Sequence, residues 1–315
     1  MPVYLLSYFK LLGWTLIPPA LGLLLQRIDP PKKLSHNLFL FSLFGIQMPV
    51  ILMAIWVAEI SSGTTYTPLF TLTGWLVTIG VSRWISGRMN QPPRQRGAFI
   101  VSMGLSNNGY TLLGLIAMVM FGDEGIAQAT YAQLFVTPFL VFVCFPIGRF
   151  YGENEGRMDF GSLIRKTVMD PRSLPILAML AGLILNLAEV ERPNWCGPLV
   201  RAMVYIGTIA TGIAVGLLLD GSSQKRFVRE NLYSFVYRST FYPLMFFAMA
   251  RFAGLDMLNT SILLLFGLVP SALYSNLVAD FFGLDTDLTS SVFAIGTTMF
   301  VVFVLPLYVL AVRYI

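Results

Sequence analysis

Two short clusters carry the residue types that could hold a solute inside an otherwise apolar chain. The first is Asn107-Asn108-Gly109, within GLSNNGYTLLGLIAMVMFG (104–122). The second is Pro270-Ser271, followed by Tyr274, Ser275 and Asn276, within GLVPSALYSNLVADFFG (267–283). Asn is a poor helix former, and Gly costs about 1 kcal/mol relative to Ala in a helix interior. Proline removes a backbone donor and clashes with the preceding turn. A helix broken at such a point restarts with free N–H groups and the positive end of its dipole, which together favour an anion. Asn side-chain amides add two donors each. The chemistry is reversible binding of a carboxylate by neutral donors. Either cluster alone reads first as an ordinary kink whose backbone groups find partners on neighbouring helices. Each, however, is followed by Phe-Gly (Phe121-Gly122, Phe282-Gly283), a short acidic turn and a new apolar run. Interrupted helices at matching places in two halves of a chain point to the binding site of a secondary transporter.

Other polar residues lie within apolar runs. Arg238 is expensive in a span unless paired. It could be a counter-charge for an anion or for Asp280, or it could snorkel to the nearer interface. Asp280 could couple transport to protons, but it stands three residues before Gly283, at the expected membrane edge. Gln133 could hydrogen-bond substrate or form an interhelical bond.

These clusters need a membrane scaffold. The chain is 56% hydrophobic and 12% charged, against about 25% charged in soluble domains. Apolar runs of about 20 residues can each cross a bilayer core of about 30 Å. No cleavable-signal pattern precedes the first run, so it is expected to be a retained span. Two cysteines, Cys144 and Cys196, give no disulfide framework, and a single histidine gives no multi-histidine metal site. No nucleophile–base pair falls within the spans, so neither an enzyme nor a bound cofactor is expected. The net charge of +5 fits cytoplasmic loops rather than nucleic acid.

Ten spans are expected, at about 4–26, 37–60, 66–86, 97–121, 126–148, 174–189, 198–219, 231–250, 258–282 and 289–312. Fourteen of the 21 Lys and Arg residues fall in the loops after spans one, three, five and seven. Basic loops face the cytoplasm, which puts both termini outside. The loop after span nine is acidic and dissents. Ten spans divide into a first repeat (1–150), a cytoplasmic linker (151–173) and a second repeat (174–315). Five spans per repeat force opposite orientations. The expected fold class is therefore all-α integral membrane, with ten transmembrane helices as two inverted five-helix repeats and two crossed, broken helices at spans four and nine.

At the two broken segments the chain resembles the auxin efflux carrier family, which includes plant auxin exporters and bacterial malonate or malate permeases. The resemblance rests on Asn107-Asn108-Gly109-Tyr110 leading to Phe121-Gly122-Asp123-Glu124, and on Pro270-Ser271-Ala272, Phe282-Gly283-Leu284-Asp285 and Leu305-Pro306-Leu307. Gly114 stands where the family usually has a proline, and the long hydrophilic loop of the plant members is absent. The resemblance implies a compact prokaryotic carrier in the inner (plasma) membrane, with a fold similar to that of bile acid–sodium symporters. The site expected from the breaks and the polar residues near them is Asn107, Asn108, Gly109, Pro270, Ser271, Tyr274, Asn276 and Gln133, and the resemblance implies that it binds a small organic anion moved by alternating access. A sodium- or proton-coupled importer and a ligand sensor that transports nothing are the alternatives. Coupling to H+ or Na+, and assembly as a homodimer, stay open.

Overall fold

The computed structural model describes residues 3–28, 33–58, 66–152, 174–218, 225–272 and 274–312. Among these residues every regular element is helical. The first half contains α1 (Val3–Gln26), α2 (Leu34–Leu40), α3 (Met48–Ile55), α4 (Tyr66–Arg88), α5 (Pro93–Gly104), α6 (Leu115–Ala132), α7 (Val136–Phe139) and α8 (Phe145–Gly152). The second contains α9 (Leu174–Leu187), α10 (Cys196–Leu218), α11 (Val228–Ser239), α12 (Phe241–Phe252), α13 (Met257–Leu268), α14 (Tyr274–Phe282), α15 (Thr286–Met299) and α16 (Leu305–Ala311). Most of the linker expected at 151–173 lies outside the described residues.

Among the described residues, three helical stretches are long and apolar enough to cross a bilayer, Asn37–Ile55, Cys196–Leu217 and Thr286–Ala311, and a fourth apolar stretch, Leu112–Ala132, is interrupted at Gly122. The surface is apolar where a soluble protein would be polar, with Ile17, Ile184, Leu187, Leu244 and Phe252 all well exposed. Thr71, Thr78, Ser102, Ser271 and Ser275 are buried instead. Polar groups inside and aliphatic groups outside mark an integral membrane protein.

Several helices widen into π turns. Phe41–Gln47, Leu140–Cys144 and Phe300–Val304 each end two residues before a proline, namely Pro49, Pro146 and Pro306. Proline offers no N–H to the carbonyl four residues earlier and pushes it aside. That carbonyl belongs to Gly45, Phe142 or Val302, inside the π turn in each case. A local i→i+5 turn accommodates the defect without ending the helix.

The run 97–121, expected as a broken span, is two helical pieces that part after Gly104. The stretch Leu112–Ala132 is not one rod, because Gly122 takes φ 69° and ψ −150° within it. A straight helix would hold residues 117 and 125 about 12 Å apart. Here Gly125 packs directly on Ala117 and Phe121, so the chain folds back at Gly122. The span expected at 231–250 is kinked at Thr240 (φ −127°, ψ −78°), where Pro243 cannot donate to the Ser239 carbonyl.

Helices α1–α3, α9 and α10 pack on one another. Between α1 and α10 the backbones meet at Gly22, Gly212 and Gly216 against Pro18 and Pro19, a close approach that only small residues permit. Helices α4–α8 and α11–α15 pack together as a second group. Its core includes Trp75, with Phe139 and Phe266 at ring-centroid distances of 5.1 and 5.5 Å.

Candidate functional site at the junction of two broken helices

Helix α5 stops at Gly104, residues 105–109 run non-helically, and a π turn (Tyr110–Gly114) leads into α6. Helix α13 stops at Leu268, and helicity resumes at Tyr274. The two interruptions are tied together. Ser106 and Ser271 form an isolated antiparallel bridge. It is closed by Asn107 N–H to the Pro270 carbonyl (2.7 Å) and Ala272 N–H to the Leu105 carbonyl (2.8 Å). Backbone lost to the helices is thus re-satisfied across the break, as interior membrane backbone must be. Tyr110 begins four residues after Ser106, and Tyr274 three after Ser271. Chain reach alone keeps both new N-termini within about 14 Å of the bridge.

On the other side of the bridge the two preceding helices end at one side chain. Arg238, from α11, is 3% exposed. Its Nη1 donates to Ser106 Oγ and to the Val269 carbonyl (3.1 Å). Its Nη2 donates to the carbonyls of Met103, Leu105 (3.2 Å) and, at a long 3.4 Å, Ser102. Arg238 therefore neither snorkels nor pairs with Asp280. It is compensated by the negative C-terminal ends of α5 and α13. Asp280 is exposed on α14, as its place near the end of that helix suggests.

The remaining candidate residues separate by what their side chains already bind. Ser271 Oγ donates to the Ser102 carbonyl (2.7 Å), so its proton is committed and the residue acts as a tie. Tyr274 donates its hydroxyl to Gln47 Oε1 (2.8 Å), linking α14 to the π turn between α2 and α3. Gln133 donates back to the Ala129 carbonyl (2.9 Å) in its own helix, which is neither a substrate bond nor an interhelical one. Asn276 Oδ1 accepts from Ser290 Oγ at 3.4 Å, long for a hydroxyl donor. Gly109 caps the π turn and accepts from Leu112 and Gly114. Pro270 contributes its carbonyl to the bridge and lies against Gly296. Asn107 is half-buried, its N–H held by the bridge.

Asn108 is different. It is 1% exposed, and neither Oδ1 nor Nδ2 has a hydrogen-bond partner among the described residues. An unpaired buried amide costs about 1–3 kcal/mol, so this side chain calls for a partner such as a bound solute or water. Thr297, next to Gly296, likewise keeps a buried Oγ1 without a partner. The sequence pointer to it is the small polar run Gly296-Thr297-Thr298 in an apolar helix, a pattern typical of interior-facing positions.

No protein-family model matches the chain. Over 206 residues it is 24% identical to an uncharacterized transporter of Methanocaldococcus jannaschii, a stretch that covers 64% of this chain and 64% of the relative. The chain is similar to a transporter. That similarity supports a general transport role in the membrane and argues against an enzyme, without extending to substrate, coupling or the auxin efflux carriers.

Proposed function

We propose that this protein is a secondary transporter of a small organic anion in a prokaryotic plasma membrane, bound where the two broken helices meet. In this reading it has ten spans in two inverted repeats, and it shares the auxin efflux carrier architecture that its broken segments resemble. The single observation that carries the proposal is the Ser106–Ser271 bridge. It brings two helix N-termini together beside the unpartnered amide of Asn108. Free N–H groups and an amide in a water-poor interior suit a carboxylate.

The packing also supports alternating access. Helices α4–α8 and α11–α15 would form a moving bundle, and α1–α3, α9 and α10 a panel. The π turn Tyr110–Gly114 packs on α10, so the site lies at the boundary between the two groups. Loop contacts are consistent with the expected topology. Asp285 N–H meets the Arg94 carbonyl (3.5 Å) and Gln91 meets Glu230 (2.8 Å), all assigned to the cytoplasmic side. Asp123 meets Arg201, and Asn186 meets carbonyls 55, 56 and 58, all assigned to the outer side.

The test is thermal stabilisation of the purified protein by malonate, malate and larger weak acids, paired with uptake of labelled acid into proteoliposomes. At least one acid should raise the melting temperature and accumulate. Asn108→Ala should lose the ligand-dependent shift while keeping the unliganded melting temperature. Binding without accumulation under any ion gradient would sink the transport reading.

A further inference from the structure

In transporters built on broken helices, unwound carbonyls and half-helix C-termini at the midplane commonly coordinate the coupling cation. This protein has such a set of carbonyls at Ser102, Met103, Leu105 and Val269, contributed by both breaks. A guanidinium is already bonded to all four. One is saturated, since each carbonyl oxygen offers two lone pairs. Leu105 accepts from Ala272 N–H and Arg238 Nη2 and has no lone pair left for an ion. Ser102 accepts from Ser271 Oγ and, at a long 3.4 Å, from Arg238 Nη2. Arginine stays protonated in any protein setting, and its planar fork matches several acceptors at once. Among the described residues no carboxylate is bonded to this buried side chain, so the helix ends, with the Tyr242 ring 5.8 Å away, are its compensation.

We infer that Arg238 is a covalently tethered cation. It occupies the carbonyl cluster where a monovalent coupling ion would otherwise bind, and so makes assembly of the anion site independent of sodium. This rests on the transporter reading for its relevance to coupling, but the cation chemistry can be tested without any substrate. Helix α11 packs with α13 and α15 in the same group as the breaks, so the charge would move with the site rather than dissociate from it each cycle.

The experiment measures the melting temperature of purified wild type and Arg238→Ala, without organic acid, in choline chloride, sodium chloride and choline chloride with 5–50 mM guanidinium at matched ionic strength. Wild type should melt within about 1 °C in all three. Arg238→Ala should melt lower in choline and recover by several degrees in guanidinium, and by a smaller amount in sodium, as free cations return to the vacated carbonyls. Arg238→Met, equally long but uncharged and filling the same space, should melt low and show no recovery. A saturable sodium-dependent rise in wild type would overturn the inference, and that arm decides even if the variants do not fold. A folded Arg238→Ala that no cation stabilises would also overturn it, leaving Arg238 a packing residue. Failure of Asn108→Ala to lose acid binding would instead count against the anion site and leave this result standing.

Discussion

Ser106 and Ser271 face each other across the only extended pairing among the described residues, and both hydroxyls point their chemistry back into the breaks. Ser106 Oγ accepts from Arg238, and Ser271 Oγ donates to the Ser102 carbonyl. One tie involves a charged donor and the other a neutral one. Hydrogen bonds to charged groups contribute about 1.5–3 kcal/mol and neutral ones about 0.5–1.5.

That difference ranks two variants. Ser106→Ala should destabilise more than Ser271→Ala, by about 2 kcal/mol against about 1. Differential scanning measurements on both variants in one detergent check the order. Equal losses would mean that the Arg238–Ser106 contact carries no charge-assisted component.

Gly122 and Gly283 end corresponding Phe-Gly pairs but do different work. Gly283 has φ 65° and closes its helix with Leu284 N–H bonded to the Ala279 carbonyl, a left-handed C-cap. Gly122, at φ 69° and ψ −150°, occupies a region essentially reserved for glycine. No atom crowds an added Cβ at either position, so only backbone strain is measured. Gly283→Ala should cost about 1 kcal/mol, and Gly122→Ala about 1–3 kcal/mol. Chemical denaturation of both variants tests the ranking; a cheaper Gly122→Ala would contradict the fold-back at that residue.

The breaks themselves are legible in the sequence because their causes are local: Asn107, Gly109 and Pro270 are poor helix residues in the chain's own register. The role of Arg238 is not legible. Its partners are mostly backbone carbonyls, which have no sequence signature, and those in the first break lie more than 130 residues away. The tie made by Ser271 is hidden for the same reason, since its acceptor is a carbonyl 169 residues distant. The kink at Thr240 had a visible cause in Pro243, yet the apolar run continues unchanged across it and outweighs a single proline. The orphaned amide of Asn108 is a packing property that only coordinates display.

Gly216 tests the panel. A Cβ there would fall against the Pro19 carbonyl and the Gly22 backbone, neither of which is a flexible side-chain tip. Overpacking of this kind costs about 1–3 kcal/mol. Gly216→Ala should lower the melting temperature and Gly216→Val more so, with acid-induced stabilisation intact because the crowded neighbours, Pro19 and Gly22, belong to α1 and not to either break. A Gly216→Val protein that melts like wild type would refute close apposition of α1 and α10.

Asp123 and Arg201 form an ion pair (2.6 Å) whose side chains are 39% and 45% exposed. Exposed pairs contribute only about 0–1 kcal/mol to stability, so Asp123→Asn and Arg201→Gln should leave the melting temperature nearly unchanged. The pair nevertheless joins the turn after Gly122 to α10, and therefore the proposed moving bundle to the panel. If the two groups separate on this face during each cycle, breaking the pair removes an interaction present in one state and absent in the other. Only such a differential interaction shifts a conformational equilibrium. Each single variant should then change the uptake rate in proteoliposomes by two- to fivefold in the same direction. The double variant should change it no further, because both substitutions delete one shared contact. Additive effects of the two substitutions would show that the pair is ordinary surface charge and that this face does not open there.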